Sequence, residues 1–267
     1  MDTLVANAAA IAMYLTASVF VVVQIVRQAR GAITWVLSLA ACAIAFHAIG
    51  IHGLIFTPQG FQFSFYIALA FIFLTVNTLV LVSSLKKPLH NLFVLLFPIS
   101  AIALICAIMI PPTAAPLTNI GTDISFHILL SVLAYSLLTI ATLQALVLAY
   151  QNRQLHNKQL TGVVRMLPPL QTMEQLLFEL LWAGMIFLSL GILTGFLFFD
   201  DLFAQHLVHK SAFSILAWCI YGTLLWGRHR QGWRGNTAIR WTLGGFAALM
   251  LAYFGSKLVL ELILGGV

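Results

Sequence analysis

Eight histidines are the residues in this sequence best suited to chemistry, and they divide by their surroundings. His90, His156 and His229 lie close to Lys or Arg in short polar connections and read as loop residues with no special role. His47, His52, His127, His206 and His209 lie inside apolar stretches or at their ends. An ionisable group in such a stretch is costly, so it usually faces the interior of a helix bundle and has a task there. His47 is about nine residues inside its apolar stretch, roughly 13 Å from the end at the helical rise per residue. His127 is about four residues into another, on one side with Ser131 and Tyr135, one and two turns further on. Two neutral imidazoles facing each other from two helices can hold a haem iron through one nitrogen each, which makes His47 and His127 candidate ligands. The alternative is a hydrogen bond from each histidine to a Ser, a Tyr or a backbone carbonyl on a neighbouring helix, and both readings stay open here.

The remaining candidates rank lower. His52 follows His47 by five residues and so points about 140° away around a helix. His206 and His209 flank the start of an apolar stretch, in a segment that also holds Asp200, Asp201 and Phe203, where a ligand edge would rest. Lys257 and Glu261 are one helical turn apart, a spacing that suits an ion pair, with a haem propionate as the other partner for Lys257. Zinc fits poorly, because no HxxxH or carboxylate spacing gathers these side chains on a single helix.

Eight apolar spans must position these residues: about 3–26, 32–56, 64–85, 89–110, 123–150, 175–199, 210–227 and 238–265. Each approaches the roughly 20 residues that a bilayer requires. Their connections alternate in charge. The first, third, fifth and seventh carry Arg27 and Arg30; Lys86 and Lys87; Arg153, Lys158 and Arg165; and Arg228, Arg230 and Arg234. The second and fourth carry none, and the sixth holds Asp200 and Asp201 with Lys210 at its end. By the positive-inside rule the odd connections are cytoplasmic and both termini extracytoplasmic, which puts the five histidines in or near the outer part of the bundle. The connection from Gln151 to Glu174, with Pro168 and Pro169, is expected to lie along the membrane surface.

Composition agrees with this. Of 267 residues 61% are hydrophobic and 7% charged, and the mean hydropathy is +1.02, far from soluble domains. The expected fold is an all-α integral membrane protein, a bundle of about eight transmembrane helices forming a single polytopic domain over residues 1–267. The net charge of +6 is scattered over short loops, so it reads as a topology signal and excludes a nucleic-acid partner. Residues 3–26 lack a basic leader and a small-residue cleavage site, so they read as a retained first helix. Cys42, Cys106 and Cys219 fall within apolar spans without a CxxC or CxxCH pattern and read as buried structural thiols. Gly191, Gly195, Gly244, Gly245 and Gly255 are expected where helices approach closely. Glu174 and Glu179 begin the sixth span and carry no assigned chemistry.

The segment HKSAFSILAWCIYGTLLWGRHRQGWRG, followed by LAYFGSK and preceded by SLGILTG, resembles the C-terminal half of the cytochrome c assembly proteins, the CcsA/CcmC-like haem handlers. The likeness is greatest to an eight-helix inner-membrane branch of that family. It covers about residues 160–260, and FHAIG around His47 and FHILLS around His127 extend it more weakly toward the N-terminus. The resemblance implies haem held by histidines in transmembrane helices and at the outer face, with His47 and His127 as the embedded pair. It also implies the bacterial cytoplasmic (inner) membrane as the location, and cytochrome c maturation components or another membrane protein as partners. The chain departs from the family in one loop. The tryptophan-rich outer segment with its WD ending is missing, since residues 198–210 contain no tryptophan, and His209 stands where an Asp usually precedes the Lys.

Two functions follow. The first is a haem-binding protein related to cytochrome c assembly, holding haem b through His47 and His127, with His209 and Lys257 as further cofactor contacts. The second is a non-haem membrane partner or regulator of a transport protein that keeps the fold. A solute transporter would need broken helices and midplane charges, which the sequence does not suggest. An enzyme is not expected, because no nucleophile, base or nucleotide motif is present.

Overall fold

A computed structural model describes residues 3–27, 33–112, 116, 118, 121–158, 164, 167–198 and 205–255; the side chains of 25–27, 33, 205–209, 254 and 255 lie outside the description. Helix α1 is Thr3–Arg27, α2 Ile33–Ile55, α3 Phe65–Ser84, α4 Phe93–Met109, α5 Thr122–His156, α6 Leu170–Phe198, α7 Gln205–Gln231 and α8 Asn236–Met250. A two-residue antiparallel ladder, β1 Phe56–Thr57 with β2 Gly60–Phe61, closes the turn after α2. A 3-10 turn at His90–Leu92 leads into α4, and a π turn at Leu251–Gly255 follows α8. In lipid every backbone amide and carbonyl must find a partner within the segment, so long apolar runs become helices.

The all-α membrane architecture is as expected. Among the described residues six helical spans are long and apolar enough to cross a membrane: Thr3–Gln24, Thr34–Ile55, Phe65–Ser84, His90–Met109, Thr122–His156 and Leu170–Phe198. The seventh expected span falls on α7, and the eighth begins on α8 and runs beyond Gly255, outside the described residues. The connection expected along the membrane surface is shorter than drawn. Helix α5 continues to His156 and α6 begins at Leu170, because polar residues extend both helices past their apolar cores.

The chain folds as two compact units. The first comprises Met1–Gly121 with Lys158–Pro168. In it α1 and α2 run antiparallel, with small residues along the seam. Ala10 and Ala17 on α1 and Ala40 and Ala43 on α2 are fully buried. Gly53 faces Thr3, and Gly50 faces Asn7 so closely that a Cβ there would overlap the carboxamide. Asn77 joins α3 to α4, donating to the Ser100 hydroxyl at 2.6 Å, while Ser100 donates to the Leu96 carbonyl.

The second unit comprises Thr122–Asn157 with Pro169–Val267. Its core gathers Leu138, Leu148, Leu177, Leu181, Tyr221 and Leu249 from α5 to α8. Gln144 on α5 donates to the Met173 carbonyl at 3.1 Å, near the start of α6. The change from α to π pattern after Met250 alters the carbonyl pairing there, and the Tyr135 hydroxyl donates to the Leu249 carbonyl at 3.0 Å.

Gly245 and Gly244 make a controlled comparison. A Cβ on Gly245 would lie 2.7 Å from Cζ of the buried Tyr221 ring, whereas one on Gly244 would meet nothing within 4 Å. Gly245→Ala is expected to destabilise the second unit by about 1–3 kcal/mol through overpacking. Gly244→Ala is expected to be neutral or slightly stabilising through helix propensity. Thermal denaturation of the detergent-solubilised protein checks both. The expected role of glycine in close approach therefore holds at Gly245 and, against the His127 ring, at Gly195; a Cβ at Gly191 would make ordinary contact at 3.6 Å, one at Gly244 none, and the surroundings of Gly255 lie outside the description.

The cysteine expectation needs correction. Cys42 and Cys219 are exposed on their helices and Cys106 is half-buried. In a membrane protein an apolar position does not imply an inward one, because the helix surface that faces lipid is apolar too.

Candidate histidine sites

On α1, Thr3, Asn7, Ala10, Tyr14 and Ala17 recur at alternating spacings of four and three residues, so they share the face turned to α2. On α2, Val36, Ala40, Ala43, His47 and Gly50 do the same. His47 and Tyr14 are both fully buried where these faces meet. The Tyr14 hydroxyl and His47 Nδ1 are hydrogen-bonded at 3.1 Å, with the rings edge to face. Tyr14 also packs against Phe97 of α4, at 5.7 Å between centroids. His47 Nε2 is buried without a hydrogen-bond partner, and so are Oδ1 and Nδ2 of Asn7. Leaving one buried polar atom unpaired costs about 1–3 kcal/mol, so a ligand that engages these atoms gains by that amount.

His127 sits in the first turns of α5, within the second unit, and α6 supplies its neighbours. Its Nδ1 is 3.1 Å from the Thr194 hydroxyl, and its Nε2 is 3.4 Å from the Ser131 hydroxyl one turn along α5. Thr194 Oγ1 is also 3.0 Å from each of the Leu190 and Gly191 carbonyls. Those carbonyls can only accept, so Thr194 donates where it bonds them, while the donor between Thr194 and Nδ1, and between Ser131 and Nε2, is set by the imidazole tautomer. Gly195 admits the imidazole closely, since a Cβ there would stand 3.4 Å from His127 Cε1.

His47 thus lies in the first unit and His127 in the second, and the hydrogen-bond partners described for each belong to its own unit. Ser131 lies on the His127 face as expected. His52 is exposed and lies against the Phe56 ring, tilted to it with centroids 4.9 Å apart, away from the inward face. His209 lies in the first turns of α7, where side chains are outside the description, and Lys257 and Glu261 lie outside the described residues. Among the described residues no group of three or more His, Cys, Asp or Glu gathers in a metal-binding cluster. Sequence reasoning missed Tyr14, Thr194 and Asn7. The alternating four and three spacing on α1 was the available signal for Asn7 and Tyr14, while nothing local marks Thr194.

A second polar cluster lies at the junction of α6, α7 and the turn after α7. Arg228 donates to Glu174 at 2.9 Å and to the Trp233 carbonyl at 3.2 Å, and its guanidinium lies 4.5 Å over the Phe178 ring. Gly227 leaves the space that Trp233 occupies, and Trp233 packs on Trp241 at 5.4 Å. Gly232 and Gly235 take positive φ values of 68° and 58°, which give the turn its reversal. The basic turn is therefore a structural joint.

The family model described as "Cytochrome C assembly protein" matches residues 7–264. Over 137 residues, 51% of this chain, the sequence is 41% identical to "Inner membrane protein YpjD" of Escherichia coli, and the match covers 52% of that protein. Over 147 residues, 54% of this chain, it is 35% identical to the "Uncharacterized 28.8 kDa protein in nifR3-like 5'region" of Azospirillum brasilense, covering 54% of that protein. The chain thus spans about half the length of these curated relatives. No solved structure matches.

Proposed function

This chain belongs to the cytochrome c assembly protein family, and from that premise we propose that it is a haem-handling protein of the bacterial inner membrane that binds haem b through histidine. The apolar helices and the inner-membrane relative support the location. The observation that carries the haem reading is the state of His47, whose Nδ1 is held by a hydroxyl while its buried Nε2 has no partner. A histidine that ligates a metal commonly has its other nitrogen fixed in this way. His127 repeats the pattern in the second unit, with Nδ1 on Thr194 and only a long contact from Ser131 at Nε2.

The residues present fit a haem iron in their donor chemistry. His47 in the first unit, or His127 in the second, would hold it through a neutral imidazole nitrogen, and His209 and Lys257 remain candidates for the outer contacts. Bound haem would supply a redox-active iron and a porphyrin for delivery to an acceptor. The chain's own part is to orient each imidazole, keep it neutral in an apolar bundle and exclude water from it. Cytochrome c maturation components are the proposed partners, and the helices are proposed to number eight with both termini extracytoplasmic. Titration of haem b into the purified haem-free protein, followed at the Soret band, tests the reading. Saturable binding is expected for the natural sequence, and loss of saturation for the His47→Ala/His127→Ala double variant. Identical titration curves would overturn it.

A further inference from the structure

The hydroxyl groups beside the two histidines do more than satisfy buried nitrogens. We propose that Thr194 is a positioning residue that fixes His127 as the Nδ1–H tautomer, and that Tyr14 serves the same purpose for His47, so that Nε2 is the ligating atom in each unit. This rests on the haem reading above for its ligand, but its geometry stands on the apoprotein alone.

At His127 the assignment follows from proton counting. A neutral imidazole carries one proton on its two nitrogens, and a threonine hydroxyl has one to give. Thr194 Oγ1 lies between the Leu190 and Gly191 carbonyls, both at 3.0 Å, and it can satisfy an acceptor only by donating. With its proton turned to a carbonyl, Thr194 accepts from the facing nitrogen at 3.1 Å. Nε2 keeps its lone pair and receives the Ser131 hydroxyl at 3.4 Å, a long contact that an incoming metal displaces at small cost.

At His47 the phenol of Tyr14 can donate or accept at Nδ1. Only the second arrangement frees the Nε2 lone pair, so metal ligation requires Nδ1–H to donate to Tyr14. Phe97 packs on the Tyr14 ring and both Tyr14 and His47 are fully buried, which keeps the phenol in place for this role. The two units therefore solve the same problem with different residues, a threonine on a neighbouring helix in one and a tyrosine in the other.

Three substitutions test the inference against a merely structural role. Thr194→Val keeps the shape and removes the acceptor; Thr194→Ser keeps the acceptor; Tyr14→Phe removes only the phenol oxygen. Loss of such a partner typically lowers metal affinity about 10- to 100-fold, and that loss is expected for Thr194→Val and Tyr14→Phe, with recovery in Thr194→Ser. The haem reduction potential should also rise in the two affected variants, because the imidazole loses donor strength. Nitrogen-15 NMR of the haem-free protein should find His127 as Nδ1–H in the natural sequence. A predominant Nε2–H form, or unchanged affinity and potential in Thr194→Val and Tyr14→Phe, would overturn the inference. If His127→Ala loses haem while Thr194→Val does not, the haem reading stands and this inference alone fails. If His47→Ala and His127→Ala both bind haem normally, both fail.

Discussion

Replacing His47 by alanine is expected to lower haem affinity by roughly 100-fold or more, since losing a ligand exceeds the 10- to 100-fold effect of losing a ligand's partner. The imidazole is fully buried between α1 and α2, so no other side chain can swing into its place without disturbing the helix pair. The substitution removes a side chain from a closely packed seam and leaves the Tyr14 hydroxyl without its partner, so a loss of about 2–3 kcal/mol in stability is expected alongside. One control separates these effects. Added imidazole should occupy the space left by the side chain and restore part of the haem binding. Restored binding with imidazole, at unchanged stability, assigns the loss to ligation. Full haem binding by His47→Ala without added imidazole is the outcome that excludes His47 as a ligand.

Glu174→Ala is expected to destabilise the second unit substantially without touching either histidine. The Glu174 carboxylate is 11% exposed and accepts from Arg228 at 2.9 Å, while the Arg228 side chain is 37% exposed and reaches partial solvation. Removing one partner of a fully buried pair costs about 3–5 kcal/mol, and the partial exposure of Arg228 brings the expected loss to about 2–3 kcal/mol. Arg228 would retain the Trp233 carbonyl and the Phe178 face, so the joint should loosen without unfolding at once. Glu174→Gln keeps a hydrogen-bond acceptor and should lose less. Thermal denaturation in detergent measures the order, natural sequence above Glu174→Gln above Glu174→Ala. A melting temperature for Glu174→Ala equal to that of the natural sequence would show that the pair contributes nothing.

The architecture was legible in the sequence wherever it depended on local pattern. Apolar runs of bilayer length fixed six of the spanning helices, and the spacing of His47 and His52 predicted that the first would be buried and the second would face away. Ser131 beside His127 followed from a one-turn spacing in the same way. What was hidden depended on which helix faces which. Thr194 is 67 residues from His127 and Glu174 is 54 from Arg228, and neither pair has a local signature. The cysteines misled for a related reason, since hydropathy separates membrane from water but does not separate lipid-facing from inward positions. Gly244 and Gly245 are adjacent and alike in sequence, yet only the second meets a neighbour, because the helix turns them about 100° apart.

The visible absorption spectrum of the protein purified from haem-replete cells tests haem binding most directly. A Soret band, with a pyridine haemochrome of the b type and an intensity near one haem per chain, is the expected result. A colourless protein, above all one that co-purifies with a stoichiometric membrane partner, would contradict haem handling and favour a non-haem role for the same fold.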